Sequence, residues 1–252
     1  MAFTFTGPRD GWAITDEGTL LDTSDSGETW GVVNTPVRAV TVCSSSERLW
    51  FGGARGDIYL SDNGGPWTLA LAGADVPDIH NSLGPNPIPP APWLACDADT
   101  AFALYDYGEA AGSSPYALER TLDGGQQWAA VLGAEVLPTP PDSGVGPSVL
   151  DVDATGATTA WILSDCGPCT SGLPALTTTT DGTTFHTTPL PVGSGVYGAP
   201  VDVAFSDPED GYAVVREFPS SHPGSSSAAT TVVLATTDGG ATWRVVDPNL
   251  RG

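Results

Sequence analysis

The chain has 252 residues and carries eight arginines and no lysine against 30 acidic residues, a formal net charge of −22. That balance excludes nucleic acid and anionic lipid as natural partners, because neutralising phosphates takes clustered lysine and arginine. No apolar run is long enough to span a bilayer, and 31 glycines with 23 prolines fit turn-rich β structure rather than helix.

In chain order, a first strand is predicted at Phe3-Thr4-Phe5 and a second at Gly11-Trp12-Ala13-Ile14, followed by a phrase from Thr23 to Trp30 centred on Asp25 and Gly27. The same succession returns with Val40–Cys43, Leu49-Trp50-Phe51 and the phrase Leu60 to Trp67 around Asp62. It returns again with Trp93–Cys96, Ala101–Leu104 and the phrase Thr121 to Trp128 around Asp123. A fourth round has Val149–Val152, Ala160–Leu163 and the phrase Thr179 to Phe185 around Asp181. A fifth has Val201–Phe205, Gly211–Val214 and the phrase Thr236 to Trp243 around Asp238. Such internal repeats outrank any local reading of the fold.

Each phrase reads as a tight hairpin turn. Its aspartate accepts backbone N–H bonds, glycine takes a positive φ, and the aromatic (Trp30, Trp67, Trp128, Phe185 or Trp243) anchors the returning strand. These aspartates are therefore structural. Each repeat holds four strands, a to d, with the aspartate turn between c and d and an aromatic in strand b. Seven of the eight tryptophans fall at these two aromatic places, so tryptophan here serves mainly core packing.

The pattern Ser/Thr-x-Asp-x-Gly-x-Thr-Trp resembles the BNR or Asp-box repeat of sialidases, xyloglucanases, sortilin-type receptors and photosystem II assembly factors. The run from Gly11 to Trp30 looks most like the last group. The resemblance covers essentially the whole chain and implies an all-β, five-bladed β-propeller of four-stranded antiparallel blades. One domain, 1–252, is expected, with blades near 2–36, 37–73, 92–133, 147–192 and 199–250. Function does not follow from this fold, which hosts unrelated activities. Against the three clamping arginines of sialidases, only Arg38, Arg55 and Arg216 are expected on the looped side, two of them in one blade; the opening motif is missing, sialidases have six blades, and a single propeller cannot form the two-propeller cleft of xyloglucanases.

From the strand-b aromatic to the phrase aspartate, the intervals are 13, 12, 21, 20 and 26 residues, so blades three to five carry enlarged b–c loops. The d–a links after blades two and three are enlarged as well. In an up-and-down blade these connections emerge on one side and the aspartate turns on the other. The insertions 74–91, 107–116, 134–147, 164–174 and 215–229 therefore share a side, where rigid scaffolds usually place recognition. Asp16, Arg55, Tyr105, Asp106, Tyr107, Asp165, Arg216 and Glu217 are the candidate ligand-binding residues, expected at strand-b exits around the channel mouth. Carboxylates there could bind calcium or supply an acid and base for glycoside cleavage, or be a plain solvated rim. No catalytic residue, resident metal or cofactor is assigned. His80, His186 and His222 have no partner for nucleophilic catalysis.

Cys43 and Cys96 occupy comparable places in strands a of adjacent blades, open to an inter-blade disulfide or to two buried thiols. Cys166-Gly167-Pro168-Cys169 has the thioredoxin spelling but lacks the helix N-terminus that chemistry needs, so a loop-stapling disulfide is expected. Two bridges favour an oxidising compartment, and a secreted or cell-surface protein whose leader has been removed is expected, since the chain shows no signal peptide. The expected role is non-catalytic recognition or assembly, binding a protein or glycan by the looped side; the alternative is a carbohydrate-active hydrolase or lyase. A seam between blades five and one leaves room for an oligomer.

Overall fold

The computed structural model describes residues 2–45, 48–62, 64–76, 89–97, 99–107, 116–132, 148–165, 174–193, 196–219 and 229–246. They form an all-β fold, a five-bladed β-propeller of four-stranded antiparallel blades. Blade one is β1 (Ala2–Phe5), β2 (Gly11–Ile14), β3 (Leu20–Thr23) and β4 (Gly31–Val33). Blade two is β5 (Ala39–Ser44), β6 (Arg48–Gly53), β7 (Ile58–Asp62) and β8 (Thr68–Leu71), followed by a 3-10 turn at Gly73–Asp75. Blade three is β9 (Trp93–Asp97), β10 (Thr100–Asp106), β11 (Tyr116–Thr121) and β12 (Ala129–Leu132). Blade four is β13 (Ser148–Thr155), β14 (Thr159–Asp165), β15 (Ala175–Thr179) and β16 (His186–Pro189). Blade five is β17 (Val196–Phe205), β18 (Asp210–Pro219), β19 (Thr230–Thr237) and β20 (Arg244–Val246).

Blade five differs from the sequence expectation. Residues 215 to 219, read as the start of a loop, continue β18, and β17 begins at Val196 rather than 199. The cause is alternation: Ala213 and Val215 are buried while Tyr212 and Arg216 are exposed, so the strand keeps one covered face. Arg216 pairs with Ala199 and Glu217 with Gly198, inside the sheet rather than at a strand exit.

The turns show why aspartate and threonine recur. Asp25 Oδ1 accepts the Thr29 N–H (2.9 Å) and Oδ2 the Thr29 hydroxyl (2.6 Å), while the Thr23 hydroxyl donates to Asp25 and accepts the Gly27 N–H. Asp238 repeats this with Thr242 and Thr236. Asp123 accepts the Gln127 N–H (2.9 Å), and Asp181, in the shortened fourth copy, accepts the N–H groups of Thr183 and Thr184. Gly27, Gly125 and Gly240 sit at φ 86°, 83° and 93°, which an L side chain tolerates poorly. Hydrogen bonding to the charged form holds Asp25 down at about 2, with the Thr29 hydroxyl the largest contributor.

The second copy is a correction. Thr23, Thr121, Thr179 and Thr236 pair with Gly11, Ala101, Ala160 and Gly211, one residue before each strand-b aromatic. In blade two the residue so placed is Ser61, opposite Leu49. The threonine place thus belongs to Ser61, and the aspartate place falls one residue after Asp62, outside the described residues. Asp62 instead ends β7, exposed, and pairs with Arg48 at 2.9 Å.

The described residues group into two compact units, one with blades one to three and the other with blades four and five. In the first, Trp50, Ile58, Leu60, Leu71, Ala101, Ala103 and Tyr105 pack between blades two and three, and Ile14, Leu20, Leu49 and Phe51 between blades one and two. Phe51 stacks on Tyr59 (5.0 Å) and meets Trp67 edge-on. Cys43 and Cys96 form a disulfide joining β5 to β9, with Cα atoms 6.0 Å apart. Cys166 and Cys169 lie outside the described residues.

In the second unit, Trp161 is fully buried, stacks on Phe205 (3.6 Å) and donates from its indole to the Gly239 carbonyl (3.0 Å). Two carboxylates tie its blades: Asp151 accepts the Val203 N–H and Asp153 the Phe205 N–H. Burial raises both carboxyls above the usual range, and for Asp151 a hydrogen bond with Asp202 adds to it. Not every aromatic is core. Tyr212 is 54% exposed, its face of β18 left uncovered within its unit, and Trp30 lies on the surface of blade one, edge-on to Phe5.

Candidate functional site

Of the eight residues proposed for the channel mouth, five lie in the first unit. Asp16 is exposed in the β2–β3 connection, where its carbonyl accepts a 3.5 Å bond from Arg38. Arg55 is exposed in the β6–β7 turn, its carbonyl so close to Gly73 that a Cβ there would lie 2.1 Å away. Nearby Asp57 accepts the Gly73 N–H (2.8 Å), which commits another rim carboxylate to local structure.

Tyr105 is fully buried and donates its hydroxyl to the Gly56 carbonyl (2.9 Å), so it is a packing residue rather than part of a ligand surface. The alternation that buries Ala101 and Ala103 on β10 also turns Tyr105 inward. Asp106 and Tyr107 follow at the strand end, half-buried. In the second unit Asp165 ends β14 opposite Ser148, Arg216 lies over the Phe218 ring at 5.7 Å, and Glu217 accepts the Gly193 N–H at 2.7 Å.

The residue that sequence reasoning missed is Glu119 in the middle of β11. Its place in strand c, two residues before the turn threonine, holds Leu21 in blade one, Tyr59 in blade two, Thr177 in blade four and Leu234 in blade five. Glu119 is 4% exposed, and its Oε1 has no hydrogen-bond partner among the described residues. Burial pushes its carboxyl up to about 7, and Glu119 in turn helps raise Tyr107 to about 12, after burial as the larger cause. A charged residue on the inward parity of a strand, between Ala117 and Thr121, is the signal that marks it.

Glu119 lines a groove of about 430 Å³ between blades two and three, together with Leu69, Leu71, Asp75, Gln126 and Trp128. Trp30 and Trp243 donate their indole N–H to the carbonyls of Gly27 and Gly240 in their own turns. Trp128 breaks that rule: its Nε1 is buried without an acceptor among the described residues. A second groove of about 520 Å³, in the other unit, is lined by His186, Thr178, Thr188, Glu209 and Asp238. Among the described residues, no cluster of histidine, cysteine, aspartate and glutamate could hold a metal ion.

No protein-family model matches the sequence, and no curated protein matches it. Solved structures do. YCF48 from Cyanidioschyzon merolae aligns with a TM-score of 0.56 at 17% identity, over 98% of this chain and 84% of that one. The GH74 enzyme of Niastella koreensis aligns with a TM-score of 0.55 at 16% identity, over 97% of this chain and 37% of that one. The GH74 xyloglucanase of Xanthomonas campestris aligns with a TM-score of 0.53 at 17% identity, over 97% and 38%. The likeness is one of fold. It reaches proteins named as enzymes and one that is not, and the chain spans under two fifths of either GH74 enzyme. No helix among the described residues is long and apolar enough to cross a membrane.

Proposed function

We propose that the chain is a non-catalytic recognition or assembly module that binds a protein or glycan through the side bearing its long connections. The observation that supports this reading is that polar groups at and beside the candidate positions are taken up by local structure. Tyr105 is buried against Gly56, Asp57 holds Gly73, and Glu217 holds Gly193, so these groups are committed to the scaffold rather than arranged as an acid and a base. The strands that the long connections join end opposite the aspartate turns in each blade, as antiparallel order requires. The Cys43–Cys96 bridge, of a kind that persists in oxidising compartments, supports a secreted or cell-surface setting.

The test is a binding screen of immobilised glycans and of peptides, run beside turnover assays on the same sugars. Binding without turnover, lost when residues 220–228 are replaced by a two-residue turn, is the expected result. Turnover abolished by Asp106→Asn or Asp165→Asn overturns it in favour of a hydrolase or lyase.

A further inference from the structure

The groove of Glu119 runs along β8, β11 and β12 and reaches Asp75 at the start of the long connection 74–91, and its chemistry is independent of the reading above. Four features define its chemistry. The carboxyl of Glu119 is at least nine-tenths buried, with an unpartnered Oε1. A second carboxylate, Asp75, is exposed on the same lining, and among the described residues the lining holds no cation. Leu69, which is 54% exposed, and Leu71 supply an apolar wall. The Trp128 indole adds an aromatic ring and an N–H in need of an acceptor.

We propose that this groove binds a lysine or arginine side chain of a basic polypeptide, its methylene stem along Leu69 and Leu71 and its cationic head at Glu119. Long basic side chains match an apolar wall ending in a carboxylate, because they bury the stem and keep the charge at the tip. A peptide also supplies the backbone carbonyl that the Trp128 N–H lacks. The net charge of −22 draws such a partner in from a distance. A neutral sugar would satisfy the indole but leave the two carboxylates without a counter-charge.

Among the described residues, the titratable groups around Glu119 are Tyr105 on β10, Tyr107 just past its end and Asp75 in the 3-10 turn, and Arg120 is its chain neighbour. Both tyrosines are raised, so they stay neutral near pH 7, where Glu119 itself titrates. A cation pairs with the ionised form, and affinity therefore rises with pH through this range.

The experiment follows the Trp128 indole N–H by NMR in the full chain with its disulfide intact, the signal assigned from Trp128→Phe. The probes are N-acetyl-lysine methylamide, the arginine equivalent, and the norleucine equivalent as an uncharged stem. Saturable shifts with the lysine or arginine probe are expected, about tenfold tighter at pH 8 than at pH 6 and at least about tenfold tighter than norleucine. Glu119→Gln should keep a dispersed indole spectrum while losing both the affinity and its pH dependence. Equal binding of norleucine, binding of free hexoses in place of the cationic probes, unchanged affinity in Glu119→Gln, or no shift at 50 mM probe would each overturn the assignment.

Discussion

Replacing Glu119 by glutamine should stabilise the protein at pH 8 and leave it almost unchanged at pH 4.5. The glutamine has nearly the same shape and keeps a polar head, but it cannot ionise. In the folded chain, burial moves the Glu119 carboxyl from its ordinary 4.5 up to about 7. At about 1.4 kcal/mol per pH unit this is about 3 kcal/mol against the ionised form. The folded chain holds this proton more tightly than the unfolded one, so the contribution of Glu119 to stability is most favourable below pH 4.5 and declines as pH rises through 7. Above that pH the loss is complete and constant. Urea unfolding followed by circular dichroism, at pH 4.5, 6 and 8 with the disulfide intact, should give the variant a flatter profile and an advantage of about 3 kcal/mol at pH 8. A glutamine variant that tracks the wild type at all three pH values would refute the reasoning, since Glu119 would then be solvated or paired in the fold.

Removing the bridge by Cys43→Ser with Cys96→Ser should lower stability by about 4 kcal/mol in the chain-entropy estimate, because its ends are 53 residues apart in sequence; comparison with the oxidised wild type in urea checks this. Trp161→Ala should cost about 3–5 kcal/mol, removing a fully buried ring stacked on Phe205 and bonded to Gly239. A change under about 1 kcal/mol would mean the blade-four to blade-five packing is not built on this ring. Asp25 is held at about 2 against an ordinary 3.8, so the stability its turn confers is intact above pH 4 and lost as pH falls toward 2. The melting midpoint of Asp25→Asn should therefore fall less than that of the wild type across this interval, and identical falls would discount the turn.

Much of the fold was legible in the sequence because its signals are local. The phrases around Asp25, Asp123, Asp181 and Asp238 are completed within four residues of the aspartate, so spacing alone marks them. Where a signal needed register, spacing misled: Asp62 fits the phrase by position, yet pairing with β6 gives the threonine place to Ser61. The extent of β18 was likewise set by burial against its neighbours rather than by turn residues.

Chain order and turn chemistry by themselves determined the number of blades, the strands of each and the polarity that sends long connections one way and aspartate turns the other. Tertiary structure alone decided which cysteines meet, which tyrosine turns inward and which carboxylate is stranded in an apolar wall. Cys43 and Cys96 are 53 residues apart and meet only because β5 and β9 lie side by side. Parity along β11 marks Glu119 in the sequence, but only the covering by blade two buries it. Burial and electrostatic environment are properties of neighbours distant in the chain, and a sequence read residue by residue does not contain them.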